Sequence, residues 1–141
     1  MPGDHTEPVS PVPGHLHTVT PRLVVRDGTA AIAFYREAFA AVEVGERFSA
    51  PSGELIHAEV RIGDSVVMIT DEPQDGEARS PDSLGGAVSA IMATYWEDVD
   101  VAWERAIAAG AEVVFRIAVF LGAGLEGASR ASIDLRKFCS S

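Results

Sequence analysis

His57, Glu59 and Arg61 stand two residues apart in the run LIHAEVRI, and a spacing of two is the period of a β-strand. Such a strand sends these three polar side chains to one face and Ala58, Val60 and Ile62 to the other, where helices would cover them. An imidazole, a carboxylate and a guanidinium sharing a surface can orient a small ligand in an otherwise apolar pocket. Histidine beside a carboxylate can also pass a proton. The same residues can equally satisfy one another, Glu59 pairing with Arg61 along the strand while His57 hydrogen-bonds locally. Trp96, next to Tyr95 and just before the acidic pair Glu97-Asp98, is placed to line a cavity mouth or a subunit interface. Phe48 and Arg47 are further candidates for the lining, whereas Phe34, Tyr35, Phe39 and Trp103 recur at helical spacing and are expected to pack in the core.

Other chemistries find little support. Cys139 is the single cysteine, so neither an internal disulfide nor a cysteine-rich zinc cluster is possible. His5, His15 and His17 lie in or beside a proline-rich beginning and are expected to face solvent. With 21 acidic against 11 basic residues the formal net charge is -10, a field that repels phosphate backbones and anionic lipid, so neither nucleic acid nor membrane is an expected partner. No apolar run approaches the roughly 20 residues of a membrane helix, and residues 1–17 lack the pattern of a signal peptide, which together lead us to expect a cytoplasmic protein.

The elements that would position the candidate stripe follow from patterning. A chain of 141 residues, 47% hydrophobic, is expected to form one domain with a substantial core. Residues 1–17 carry Pro2, Pro8, Pro11 and Pro13 and should form a flexible or extended arm. A strand is expected over Thr18–Arg26 and a helix over residues 29–40, started by Asp27 or Thr29 and marked by Ile32, Tyr35 and Phe39. Strands over Glu43–Ser49 and Leu55–Ile62 are separated by Pro51-Ser52-Gly53, and Gly63-Asp64 suits a type II′ hairpin into Ser65–Thr70. These elements make a first module over residues 18–72, followed by an acidic Gly- and Pro-rich linker, 73–86, with nothing periodic to bury. The pattern then restarts in a second module, 87–141: a strand over Ala87–Tyr95, a helix marked by Val99, Trp103, Ala106 and Ile107 and closed by Gly110, and a short strand over Glu112–Phe115. Laying Ala33 on Ala102 also aligns Arg36 with Arg105, Ala40 with Ala109, Glu43 with Glu112 and Val44 with Val113, which suggests duplication. The expected fold class is α+β, built from two tandem βαβββ modules.

The segments TVTPRLVVRDGTAAIAFYREAFAAVEV, LIHAEVRIGDSVVMITDE, ARSPDSLGG and WEDVDVAWERAIAAGAEVV together resemble the glyoxalase, bleomycin-resistance and extradiol dioxygenase superfamily, the vicinal oxygen chelate proteins, and within it the bacterial PhnB-like branch. The resemblance implies an incomplete, curved β-barrel around a cavity, commonly completed or flanked by a second subunit, and hence a homodimer. Metal-dependent members place His and Glu ligands at positions that fall near Thr20, Met68, Ile91 and Phe138 here, and none of these side chains suits a divalent ion, so the resemblance implies no metal and no cofactor. It also turns Met68 and Met92 toward the cavity, where a flexible thioether suits an apolar ligand. The chain departs from the family over VFLGAGLEGASRASIDLRKFCSS: Ala131-Ser132-Ile133-Asp134 stand where an Asp-Pro-Phe-Gly turn is usual, through divergence or a shifted reading frame.

Three functions remain open at this level. One is a metal-free protein that binds a small apolar or aromatic compound through His57, Glu59, Arg61, Met68, Met92, Trp96 and Phe48. A second is an isomerase, lyase or dioxygenase of the superfamily. A third is a structural module whose cavity is filled by its own side chains.

Overall fold

The computed structural model describes residues 10–112. The strand expected over Glu112–Phe115, apart from Glu112 itself, lies outside the described residues, as do Phe138, Cys139 and the atypical C-terminal segment.

The chain order is β1 (Arg22–Val25), α1 (Gly28–Phe39), β2 (Val42–Glu43), β3 (Phe48–Ser49), β4 (Leu55–Ile62), β5 (Ser65–Asp71), a single 3-10 turn at Asp82–Leu84, and α2 (Val99–Ala108). The first βαβββ module is therefore present, with its second strand split into β2 and β3. The sheet runs β1-β5-β4-β2, with β3 also on β4, and β1 is parallel to β5 while the other pairs are antiparallel. Gly63 carries a φ of 58° and Asp64 has no positive φ, the combination a type II′ turn requires, so β4 and β5 close as the expected hairpin with Ile62 opposite Ser65.

Helix α1 begins where the Asp27 carboxylate accepts the Ala30 N–H at 2.9 Å. It ends at Ala40, which takes the left-handed conformation with φ 52° and so stops the helix one residue short of the expected boundary. Its stripe of Ile32, Tyr35 and Phe39 is buried against Val25, Ala58, Val60 and Ile69 of the sheet. Each of these large side chains contributes about 1.5–3 kcal/mol by leaving water. Asp98 caps α2 through the Val101 N–H at 3.0 Å, and α2 lays Ala102 and Ala106 in the interior beside α1.

One expectation requires correction. Residues 87–95 form no ladder with any described strand. β-type residues become a strand only when a neighbouring backbone offers hydrogen bonds, and the described residues offer none there. The stretch 73–86 makes hydrogen bonds of its own to the end of β5. Glu72 accepts hydrogen bonds from Ser80, Ser83 and Arg79, and Ser80 is fully buried, so the segment folds back on the end of β5. The Ser83 hydroxyl above all, with Ser80 and Arg79, holds the Glu72 carboxyl below the usual carboxylate range.

Candidate functional site

The sheet has two unlike faces. Ala58 and Val60 on β4 and Ile69 on β5 point to the helices and are buried. Pairing places the opposite set on the helix-free face in rows: Arg22 on β1 beside Met68 on β5 beside Glu59 on β4, and Val66 beside Arg61 beside Val42. Phe48 on β3 stands opposite His57 in a third row. Five of the seven candidate residues, His57, Glu59, Arg61, Met68 and Phe48, thus share one surface.

A bulge tunes this surface. Phe48 pairs with His57 but Ser49 pairs with Leu55, so Ile56 is an extra residue on β4. Strict alternation puts Leu55 on the polar face and Ile56 in the core. The bulge reverses them, burying Leu55 and leaving Ile56 exposed.

Glu59 is the centre of the polar stripe, and its partners differ from the expected ones. Its side chain is only 13% exposed. The His57 Nε2 lies 3.2 Å from Glu59 Oε1, and the His15 Nε2 lies 2.8 Å from Glu59 Oε2. The Arg61 side chain is exposed and makes no hydrogen bond or ion pair among the described residues, so the Glu59–Arg61 pairing is replaced by a carboxylate shared between two imidazoles. An arginine two residues along a strand has a long stem that carries its charge outward to water, while shorter imidazoles can reach the half-buried carboxylate. His15 is the residue sequence reasoning missed. Its only signal was the Pro13-Gly14 pair, which turns the chain so that the Leu16 N–H reaches the Pro13 carbonyl at 3.0 Å and places His15 at the corner.

The remaining candidates lie elsewhere. Trp96 sits on the helical side: it stacks on Phe39 at 6.2 Å, carries the Arg105 guanidinium at 5.5 Å from its ring centre, and donates its indole N–H to Thr94 at 3.0 Å. Arg105 also donates to the Ala38 carbonyl at 3.0 Å, which ties α2 to the end of α1. Met92 is half-buried in the unpaired 87–95 stretch. The structure brings neither residue to the stripe. Arg47 closes an ion pair with Glu43 at 2.6 Å across the break between β2 and β3, and that hydrogen bond holds the Glu43 carboxyl below its ordinary range.

A groove of about 950 Å³ opens at the end of the same helix-free face, between Arg22, Val24 and Thr70 on the sheet and Glu54, Glu72, Asp75 and Glu77 at its rim. None of the seven candidates lines it. The acidic run that follows β5 reads as a connector, and only the fold shows that it makes a wall.

Beneath the groove, Asp71 joins three elements. Its Oδ1 accepts the Gly28 N–H at 2.6 Å and its Oδ2 the Leu55 N–H at 2.7 Å, linking the start of α1, the start of β4 and the end of β5. Glycine at position 28 permits this close approach, because a Cβ would stand 2.3 Å from Leu55 Cδ2 and 2.9 Å from Asp71 Oδ1 and force them to shift.

Of the positions where metal ligands were sought, Thr20 donates its hydroxyl to the His17 carbonyl at 3.2 Å and Met68 stands beside Glu59. Among the described residues no group of three or more His, Cys, Asp or Glu is arranged to hold a metal ion. No helix among them is long and apolar enough to cross a membrane.

An open mixed sheet covered by helices on one face, with a polar stripe on the other, makes this an α+β fold. The chain belongs to the Glyoxalase/Bleomycin resistance protein/Dioxygenase superfamily, whose family model matches residues 14–125. Over 99 residues, 68% of this chain, it is 48% identical to an uncharacterized protein of Mycobacterium bovis and to one of Mycobacterium tuberculosis, spanning 64% and 57% of their respective lengths. A gene product of Arabidopsis thaliana has the same fold, with a TM-score of 0.52 at 24% identity over 72% of this chain and 80% of that one. TioX from Micromonospora sp. ML1 is also similar, with a TM-score of 0.49 at 23% identity over 70% of this chain and 74% of that one.

Proposed function

We propose that this protein is a metal-free member of the superfamily, of the PhnB-like kind, which binds and sequesters a small apolar or aromatic compound on the helix-free face of its sheet. The observation that carries the reading is the half-buried Glu59, held among the described residues by two imidazoles, with Met68 across from it and Phe48 across from its neighbour His57. A polar anchor beside apolar side chains is the composition of a small-molecule site. Phe48, 69% exposed, is a large aromatic surface with no described cover. A homodimer belongs to the same proposal, since a symmetric partner would cover the apolar surface and the open sheet edge. Sedimentation equilibrium checks that part, with a mass of 14.9 kDa at micromolar concentration counting against it. Thermal-shift screening of metabolites and antibiotics checks the binding, because a ligand of the folded state raises the melting temperature. Hits that bind Glu59→Gln and Met68→Ala proteins as tightly as the wild type would place the site elsewhere.

A second reading has one specific observation in its favour. The 3.2 Å approach of His57 Nε2 to Glu59 Oε1 is a proton-transfer geometry for a metal-free isomerase or lyase. Conversion of any screening hit to a new mass, abolished by His57→Ala, would favour this enzyme over the binding protein.

A further inference from the structure

We infer that residues 10–20 form a displaceable strap over the ligand face, latched by His15 on Glu59, and that the group which displaces the latch is a protonated amine or amidine on an apolar or aromatic body. The inference rests on the ligand-face reading above and adds to it the charge of the ligand and the residue that must move.

The strap is held by very little. Its other described hydrogen bonds are local: Ser10 to the Val12 carbonyl, Leu16 to Pro13, and Thr20 to His17. Only Leu16 and Thr20 are half-buried, and the rest of the segment is exposed. The contact of His15 with Glu59 is therefore the one described hydrogen bond from this segment to the sheet, spanning 44 positions of sequence. Its 48% exposed imidazole shields one oxygen of a carboxylate that is itself mostly covered.

The two oxygens of Glu59 divide the work. Oε1 faces His57, which belongs to the same strand and keeps its place, whereas the hydrogen-bond partner of Oε2 among the described residues is His15 of the strap. A group competing for Oε2 must donate a hydrogen bond, and a cation does so more strongly than a neutral donor. A carboxylate or phosphate brought to the same position would meet Glu59 as a like charge. The face also carries Arg61 and Arg22. The Arg61 side chain is exposed, and the Arg22 guanidinium is turned to the Ile56 carbonyl at 3.3 Å, so neither neutralises Glu59 through a hydrogen bond. The ligand's body is placed against Met68 on β5, directly across from Glu59, while Phe48 on β3, across from His57, stands on the other side of β4.

The test uses the full chain, benzylamine as the cationic probe and benzyl alcohol as its neutral counterpart, with NMR of the Met68 methyl and of the His15 and His57 rings. In the wild type, benzylamine should bind about tenfold more tightly than benzyl alcohol, shift the Met68 methyl, and move the His15 ring signals to their positions in ligand-free Glu59→Gln protein. His15→Ala should bind benzylamine about three- to fivefold more tightly, since no latch has to be opened, and Glu59→Gln should lose the preference for the amine. Both substitutions are mild, one on an exposed strap and one isosteric. Equal binding of the two probes with Met68 perturbed, or a His15→Ala protein no tighter than wild type, would overturn the latch while leaving the ligand face intact. If neither probe perturbs Met68 or His57 in either the wild type or the unlatched His15→Ala protein, the ligand-face reading fails and the latch with it.

Discussion

Asp71 gives the most direct test of how this sheet end is held. Replacing it by alanine removes the acceptor of two part-buried backbone donors, the Gly28 N–H at 2.6 Å and the Leu55 N–H at 2.7 Å. A hydrogen bond to a charged partner contributes about 1.5–3 kcal/mol, and because water can reach part of this region we take the lower half of that range for each, giving about 3–4 kcal/mol lost in Asp71→Ala. That is a large share of the roughly 5–15 kcal/mol by which a domain of this kind is stable. Asp71→Asn keeps one acceptor oxygen but turns an amide NH2 toward the other N–H, so its loss should be intermediate, about 2 kcal/mol. Gly28→Ala drives a Cβ against Leu55 Cδ2 and Asp71 Oδ1, and with Leu55 buried it should cost about 1–3 kcal/mol. One of those clashes is with Asp71 itself, so the double variant should lose less than the two single losses added together. Urea denaturation followed by circular dichroism at pH 7 reads all four proteins. An Asp71→Ala protein within about 0.5 kcal/mol of wild type, or strict additivity in the double variant, would refute the claim that this carboxylate joins α1, β4 and β5.

Three further outcomes are expected. Arg61→Met should change stability by no more than about 0.5 kcal/mol in urea, because Arg61 is exposed and Glu59 is held by histidines, so no charge is left alone. Ala40→Gly should stabilise the protein by about 0.5–1 kcal/mol, read as a raised urea midpoint, since glycine removes the left-handed penalty at φ 52° and only part of that gain is offset by a looser unfolded chain. Glu72 has its folded pKa depressed, chiefly by Ser83, so its contribution is complete above the ordinary carboxylate pKa and is lost as pH falls through the lower folded value. Accordingly, the urea midpoints of wild type and Glu72→Gln should differ near pH 7 and converge in the acid range, and a gap that persists unchanged to pH 2 would contradict this linkage.

Local patterning determined much of this molecule. The Asp27 cap, the Ile32-Tyr35-Phe39 stripe, the Gly63-Asp64 turn and the alternation from His57 to Ile62 are encoded by neighbours in sequence, because caps, helical periods, tight turns and strand faces depend on residues a few positions apart. The superfamily was legible for the same reason, its motifs being short segments in a fixed order. Tertiary structure decided the rest. Alternation alone assigns Leu55 and Ile56 to the wrong faces, since a bulge is fixed by the register of a partner strand and not by the strand that carries it. Whether residues 87–95 form a strand depends on a neighbour to pair with, which β-propensity does not supply. Trp96 joins Phe39 and Arg105 because the two helices meet there, and its contact with Phe39, 96 − 39 = 57 positions away, exists only through folding. Glu59, finally, has an arginine two residues away in sequence and takes its partners instead from His57 and the distant His15. A carboxylate is satisfied by whichever donors reach it at about 3 Å, and only the folded chain brings His15 within that distance.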